Sequence, residues 1–449
     1  MNRPTSKREE PTAEQRGDLQ GPRWGAFDNL ILHIHPRTVP EQTLKFTLTW
    51  GLGGMAVLLV LLQIVTGILL MLVYEPSPGK AYESILILQN DVVFGQYIRN
   101  IHYWSANILV VVVFLHLLRV YLTGGFYRPR QFNWILGLCL LFSVLASNFT
   151  GYLLPWDQLA FWAITICTGM FEYIPGLGIW LQKVIRGGSE VGSNTLLIFF
   201  TFHTSILPFF LILLMAFHFW HVRRAGGVVI PKRTDEEQEI VPNYVHTIPN
   251  LVFRELAVSL VLIAFVFVFS IFFNVSLADH ANPGLSPNPT KAPWYFAGIQ
   301  EMLLHIHPLF AVFIIPACAL LGLMILPYLP YQTNATGAWF VSRVGQRTAV
   351  IAAVVALVFT PTIIILDEFI VHINTGSFAV SPAVSHGLLP TLLLLVAVIV
   401  FYLWVRKRFT ATRNESVQAV FVMLMVAFVV MTVACALFRG EGMKLMWPW

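Results

Sequence analysis

The stretch His102-Tyr-Trp-Ser-Ala-Asn-Ile-Leu-Val-Val-Val-Val-Phe-Leu-His116 decides the fold. It reads as one apolar helix of membrane length with a histidine near each end. At ~100° and ~1.5 Å per residue, the second ring lies ~40° around from the first and ~21 Å further along the axis, on the same face. Imidazole is costly in hydrocarbon, so two on one face ask for partners. A second apolar run, Leu196 to Trp220, supplies His203 and His218, fifteen residues apart and ~60° past whole turns. A lone intramembrane histidine reads most simply as a hydrogen-bonded core residue. Two pairs at nearly equal rise read as two clamps, each gripping a flat metal cofactor between neutral imidazole nitrogens, the bis-histidine haem arrangement.

Glycine repeats the same step. Gly53 and Gly67 lie 14 apart in the first apolar run, and Gly137 and Gly151 lie 14 apart in the third. Helix–helix packing explains glycines anywhere. It does not explain why their step equals the histidine step, which two planes stacked between four helices require.

With 57% hydrophobic and 11% charged residues, the 449-residue chain is an all-α polytopic membrane protein. Cys139, Cys167, Cys318 and Cys435 are scattered without a Cys-x-x-Cys, which removes a cysteine-ligated metal cluster and the usual thioether haem attachment. The net charge of +5 is no nucleic-acid signal; it follows from where basic residues lie relative to the bilayer. Residues 1–23 are polar, with no apolar core after a basic start, so no cleavable signal peptide is expected. Residues 24–45 mix aromatic, aliphatic and basic side chains and predict an interfacial helix.

Spans are predicted at about 46–74, 100–123, 134–155, 196–222, 250–274, 306–328, 348–367, 387–405 and 416–438. The expected divisions are an N-terminal segment (1–45), a four-helix dihaem unit (46–230), a linker (231–249), a further helix and loop (250–330) and C-terminal helices (331–449). With the N-terminus on the cytoplasmic side of the cell inner membrane, 21 of the 28 Lys and Arg residues fall on that side, as the positive-inside rule requires. Long, aromatic far-side connections at 156–190 and 279–300 predict a site or a docking surface.

Four segments then carry a resemblance: Gln63-Ile-Val-Thr-Gly67, Arg99-x-x-His102, Gly151-Tyr-Leu-Leu-Pro-Trp-Asp-Gln158 and Phe202-His-Thr-Ser-Ile-Leu-Pro208. They resemble cytochrome b of the quinol-oxidising cytochrome bc complexes, closest to the chloroplast and cyanobacterial branch, here with a fused back half. The likeness covers about residues 24–330. It implies two non-covalent haem b groups, the low-potential one on His102 and His203 and the high-potential one on His116 and His218. Arg99 and Arg119, each one turn from a histidine, would pair haem propionates, or else snorkel to the membrane edge. It implies quinol oxidation on the non-cytoplasmic side, with one electron passing to a Rieske iron–sulfur protein and one through the haems to a cytoplasmic-side quinone. A c-type cytochrome subunit, a dimeric complex and membrane lipids are the other expected partners. The amphipathic segment Trp162–Leu181 resembles the roof of the outer quinol site.

The sequence departs from the family twice. Where the family carries Pro-Glu-Trp-Tyr, the aligned run is Ala292-Pro293-Trp294-Tyr295, and proline takes no proton. Glu301 or His305 is expected to accept it beside Tyr295, with a carboxyl pKa raised by desolvation; the plainer reading of Glu301 is capping or pairing. Where the chloroplast-type relatives attach an extra haem through cysteine, Gly51 stands, so no covalent third haem is expected. The quinone-reducing pocket is expected at His221, Arg223, Arg254 and Glu255, which otherwise read as capping and snorkeling residues. Asp367, Glu368 and His372 on the outer side read as solvated loop charge, with an ion-facing role as the alternative, and the closing aromatic segment from Phe438 as a surface or docking piece. Two rival functions share the histidine pattern: a dihaem anchor of a quinone-linked dehydrogenase, and a proton-coupled transporter.

Overall fold

The structure, a computed structural model, describes residues 35–231, 243–331, 337–371 and 381–447. Nine helices among them are long and apolar enough to cross a membrane. They are α1 (Leu52–Met71), α3 (Gly95–Leu122), α4 (Gln131–Tyr152), α7 (Ser193–Arg224), α8 (Thr247–Phe272), α10 (Leu309–Tyr328), α11 (Arg343–Val371), α12 (Ala383–Arg408) and α13 (Arg413–Phe438). Shorter helices lie between them: α2 (Ala81–Asn90), α5 (Gln158–Gly169), α6 (Gly178–Arg186) and α9 (Trp294–His305).

α1 packs on α3, α4 packs on α7, and α3 joins the two pairs by touching α4. α8 leans on α3, α9 lies along α13, and α13 pairs with α11. Aliphatic side chains that face outward, such as Leu61, Val65 and Ile68 of α1, are more than half exposed, as lipid-facing positions are.

Half of the interfacial helix expected over 24–45 lies outside the described residues. Its described part is no continuous helix: Thr38–Pro40 forms a strand, β1, paired antiparallel with β2, Tyr244–His246, and Glu41–Leu44 makes one 3-10 turn. The first span also starts later than its apolar run suggests. Trp50 (φ 52°) and Gly51 (φ 65°) are left-handed and separate a single turn, Phe46–Thr49, from α1. His372 and most of the linker lie outside the described residues.

Four of the long helices contain π turns, at Phe202–Ile206, Leu309–Ile314, Asp367–Val371 and Ala383–Leu388. The first, second and fourth of these are each followed two residues on by proline: Pro208, Pro316 and Pro390. Proline lacks the N–H its helical position needs and crowds the carbonyl four residues back; widening the preceding turn relieves both.

Candidate functional site

The four histidines stand in two tiers of the α1/α3/α4/α7 bundle, and each faces one glycine. A Cβ on Gly67 would sit 3.3 Å from His102 Cε1, and one on Gly151 only 2.5 Å from His203 Cε1. In the other tier, a Cβ on Gly53 would sit 3.5 Å from His116 Cε1 and one on Gly137 3.7 Å from His218 Cε1. The matching step of fourteen therefore has a local cause: each glycine leaves the space its imidazole occupies.

The ring centres of His102 and His203 are 6.1 Å apart. Two metal–imidazole bonds of about 2 Å, plus about 1 Å from each nitrogen to its ring centre, sum to about 6 Å, so the pair fits one six-coordinate iron between them. Nδ1 of each ring is engaged elsewhere. His203 Nδ1–H donates to the Ser147 carbonyl at 2.9 Å, and His102 Nδ1 lies 2.9 Å from Thr66 Oγ1. A carbonyl only accepts, so the His203 proton sits on Nδ1 and Nε2 keeps its lone pair for a metal. Gln63 donates to the His102 carbonyl at 2.7 Å and fixes that turn of α3 against α1. Thr66 and Thr150, which directly precede Gly67 and Gly151, went unread in the sequence, although the repeated Thr-Gly pair was a signal.

The two arginines differ. Arg119 donates from Nε to the Leu48 carbonyl at 2.7 Å, while its Nη2 is buried without a protein partner. A buried donor of that kind suits a propionate. Arg99 instead donates to the carbonyls of Val275 and Ser276 at 2.8 and 3.3 Å. These bonds tie α3 to the chain after α8.

Asp157 and Gln158 of the Gly151–Gln158 motif anchor the long connections. Asp157 caps α5 by accepting from Ala160 N–H at 2.8 Å and also accepts from Ala278 N–H at 3.2 Å. Gln158 accepts from Asn282 N–H at 2.6 Å. The run Trp294–Phe296 at the start of α9 packs on the bundle: Trp294 Nε1 donates to Asn107 Oδ1 at 2.6 Å, and Phe296 packs on Phe149 with ring centres 5.8 Å apart. Tyr295 is buried in the same core as Val110, Val144 and Val266, and burial pushes its phenol pKa up.

Glu301 is fully buried. It accepts from Arg439 Nη2 at 2.6 Å and Nε at 3.0 Å, and His305 Nε2 is 3.4 Å away. Burial pushes its pKa up, but the bonds and charges of His305 and Arg439 outweigh burial and hold the carboxyl below its ordinary value. The expected raised pKa is thereby corrected. Asp367 and Glu368 are not solvated either: Asp367 lies 2.5 Å from His305 Nδ1, and Glu368 accepts from Arg439 Nη1 at 2.7 Å.

The residues expected at a quinone-reducing pocket fall into two settings. His221 of α7 packs on Phe132 and Trp220. Arg254 of α8 donates to the Leu44 carbonyl, and Glu255 faces His35 at 3.2 Å. Arg223 stands near the C-terminal end of α7.

Four apolar helices that set two tiers of paired imidazoles against glycine define a membrane-embedded b-type cytochrome. Residues 39–226 match the family model described as Cytochrome b/b6/petB. Cytochrome b6 of Prochlorococcus marinus (strain NATL1A) is 42% identical over 175 residues, 39% of this chain and 80% of the relative. Cytochrome b6 of Synechococcus sp. (strain WH7803) is 41% identical over 193 residues, 43% of this chain and 87% of that one. A solved chain described as hyperthermophilic respiratory Complex III shares the fold across 92% of this chain and 97% of its own, with a TM-score of 0.65 at 22% identity. The chain belongs to the cytochrome b/b6 family and is a cytochrome bc-type cytochrome b subunit, a multi-pass membrane protein with further helices fused behind the haem-binding half.

Proposed function

We propose that this chain is the haem-carrying subunit of a quinol:acceptor oxidoreductase in the cell inner membrane, with its N-terminus in the cytoplasm. The reading rests on one observation: four imidazoles in two tiers, each facing a glycine on the neighbouring helix. Two haem b groups would sit there, on His102 and His203 towards the outside and on His116 and His218 towards the cytoplasm. Bound so, haem b supplies a one-electron carrier at each tier. The protein's part is to orient the imidazoles through Thr66 and Ser147, to offer Arg119 to a propionate, and to keep water from the core.

Quinol would be oxidised on the outer side, where Tyr295 is buried in one core with Ile101, Val110 and Val144. The one-electron acceptors there are a haem b and a Rieske iron–sulfur protein. A c-type cytochrome subunit and a second copy of the complex complete the assembly. Quinone would be reduced near the cytoplasmic ends of α7 and α8, where His221, Arg223 and Arg254 stand. Gly51 (φ 65°) occupies a backbone conformation that disfavours cysteine, which supports two haems and no covalent third. Contact of α9 with the bundle favours this reading over a dihaem anchor, which has one quinone site.

The test is to purify the complex after mild solubilisation and measure haem per chain, the reduced-minus-oxidised spectrum and quinol oxidation with a one-electron acceptor. Two b haems, an iron–sulfur partner and inhibitor-sensitive turnover are expected. A preparation without a b-type α-band, or with one quinone site and no iron–sulfur partner, would sink it.

A further inference from the structure

Five ionisable side chains meet where α9 touches the ends of α11 and α13: Glu301, His305, Asp367, Glu368 and Arg439. Two of them, Glu301 and His305, belong to the helix that follows the motif lacking its carboxylate. The other three come from the end of α11 and from just after α13, and all five lie beyond the region matched by the family model. Three carboxylates face one guanidinium and one imidazole. With His305 neutral the cluster carries two net negative charges, and with His305 protonated it carries one. Buried uncompensated charge is costly, so this arrangement favours holding a proton. It also spans from interior to surface: the Glu301 and Arg439 side chains are 0% exposed, Asp367 9%, His305 14% and Glu368 22%.

We infer that this cluster replaces the missing motif carboxylate as the proton-storing group of the quinol-oxidising side. His305 holds the proton, Asp367 and Glu368 pass it to water, and Arg439 keeps Glu301 anionic. The inference rests on the reading of the chain as a quinol-oxidising subunit. Each quinol oxidised breaks two O–H bonds and gives two electrons to the haem b and iron–sulfur acceptors already named. The cluster first releases its stored proton from His305 through Asp367 to water. One quinol proton then forms the new N–H bond on His305, and the second passes directly to water as hydronium. The cluster returns to one net negative charge, and no other reactant is consumed.

The charged groups around His305 are Glu301 on its own helix, Asp367 from α11 and Arg439 after α13, with Glu368 behind Arg439. Cys435 and Lys291 flank Glu301 and Arg439, and His307, two residues on from His305, donates its backbone N–H to the His386 carbonyl at 2.9 Å. Burial lowers the His305 pKa, but the Glu301 and Asp367 carboxylates outweigh it and hold the imidazole above its ordinary value. Below that value the cluster stays full and turnover is held back.

The experiment measures quinol oxidation against pH in the whole complex, wild type beside Asp367→Asn, Asp367→Glu and Glu368→Gln, with b-haem spectra on the same samples. Asp367→Asn is expected to move the acid limb of the profile down by about one pH unit while the spectrum holds, and Asp367→Glu to restore it. Glu368→Gln is expected to slow proton release severalfold. A wild-type limb and rate in Asp367→Asn, or an equal loss at every pH that Asp367→Glu does not repair, would overturn the inference. Should Asp367→Asn fail to assemble, infrared titration of the unmodified complex decides. An imidazolium band that titrates above the ordinary histidine range and vanishes in His305→Gln is expected, and its absence overturns the inference. A wild-type complex that binds haem yet oxidises no quinol defeats the parent reading instead, a separate outcome.

Discussion

At the scale of single residues, the four glycine contacts are unequal, and the inequality is testable. A methyl on Gly151 would meet the His203 ring at 2.5 Å, far inside contact distance, whereas on Gly137 it would meet His218 at an ordinary 3.7 Å. Gly151→Ala is therefore expected to push His203 off its position and cost one of two b haems. Gly137→Ala should keep both; haem per chain and the low-temperature α-band report the difference. Equal haem content in both variants would break the link between glycine and imidazole. Arg119 supports a second prediction. Its unpartnered Nη2 is a fixed positive charge near the His116/His218 tier, and a cation stabilises reduced over oxidised iron. Arg119→Gln should lower that haem's midpoint potential by some tens of millivolts, since a unit charge at ~10 Å and an effective dielectric of ~20 is worth about 1–2 kcal/mol. The other potential should hold in a redox titration. The histidines and glycines could be placed from spacing because they lie on long helices of nearly constant rise, even though His203 falls within the π turn of α7. Arg439 could not be read, since its partner Glu301 is 138 positions away and no local pattern joins them.

At the scale of elements, all nine spans were legible as apolar runs, while their ends were decided by chemistry that hydropathy does not carry. The run from Phe46 is apolar throughout, yet two left-handed residues, Trp50 and Gly51, restart the helix at Leu52. Residues 38–40 read as part of an interfacial helix but pair with 244–246 instead, a partner more than two hundred positions away. The packing of α9 on α13 was likewise invisible in sequence, although Gly298 records it. A Cβ there would lie 2.8 Å from both Phe428 Cε2 and Thr432 Oγ1. Overpacking such a contact costs about 1–3 kcal/mol. Gly298→Ala should lower the thermal midpoint of the complex and slow quinol oxidation while leaving haem content intact, because the glycine lies on α9 against α13 and meets no haem-tier histidine. Loss of haem in this variant would mean that α9 supports the bundle itself.

At the scale of the whole molecule, α9, which packs on the front bundle through Trp294 and Phe296, is joined to the C-terminal helices by buried charge as well as by packing, so the union of the two parts should depend on pH. Glu301 titrates below its ordinary value of 4.5, so its contribution is complete above that value and is lost as pH falls through the lower, folded one. His305 titrates above its ordinary value of 6.5, so its contribution is complete below that value and is lost as pH rises through the higher, folded one. Both contributions are complete together between 4.5 and 6.5. Thermal stability should peak in that window and decline on either side. Removing Arg439 leaves Glu301 buried without its cation, at a cost of about 3–5 kcal/mol, and deprives Glu368 of its partner as well. Arg439→Ala should therefore melt earlier at every pH above the folded Glu301 value. It should gain relative stability as acid protonates Glu301, the reverse of the wild-type trend on that limb. Melting curves of the intact complex at a series of pH values read both effects, and parallel wild-type and variant curves would show that the cluster does not hold the two halves together.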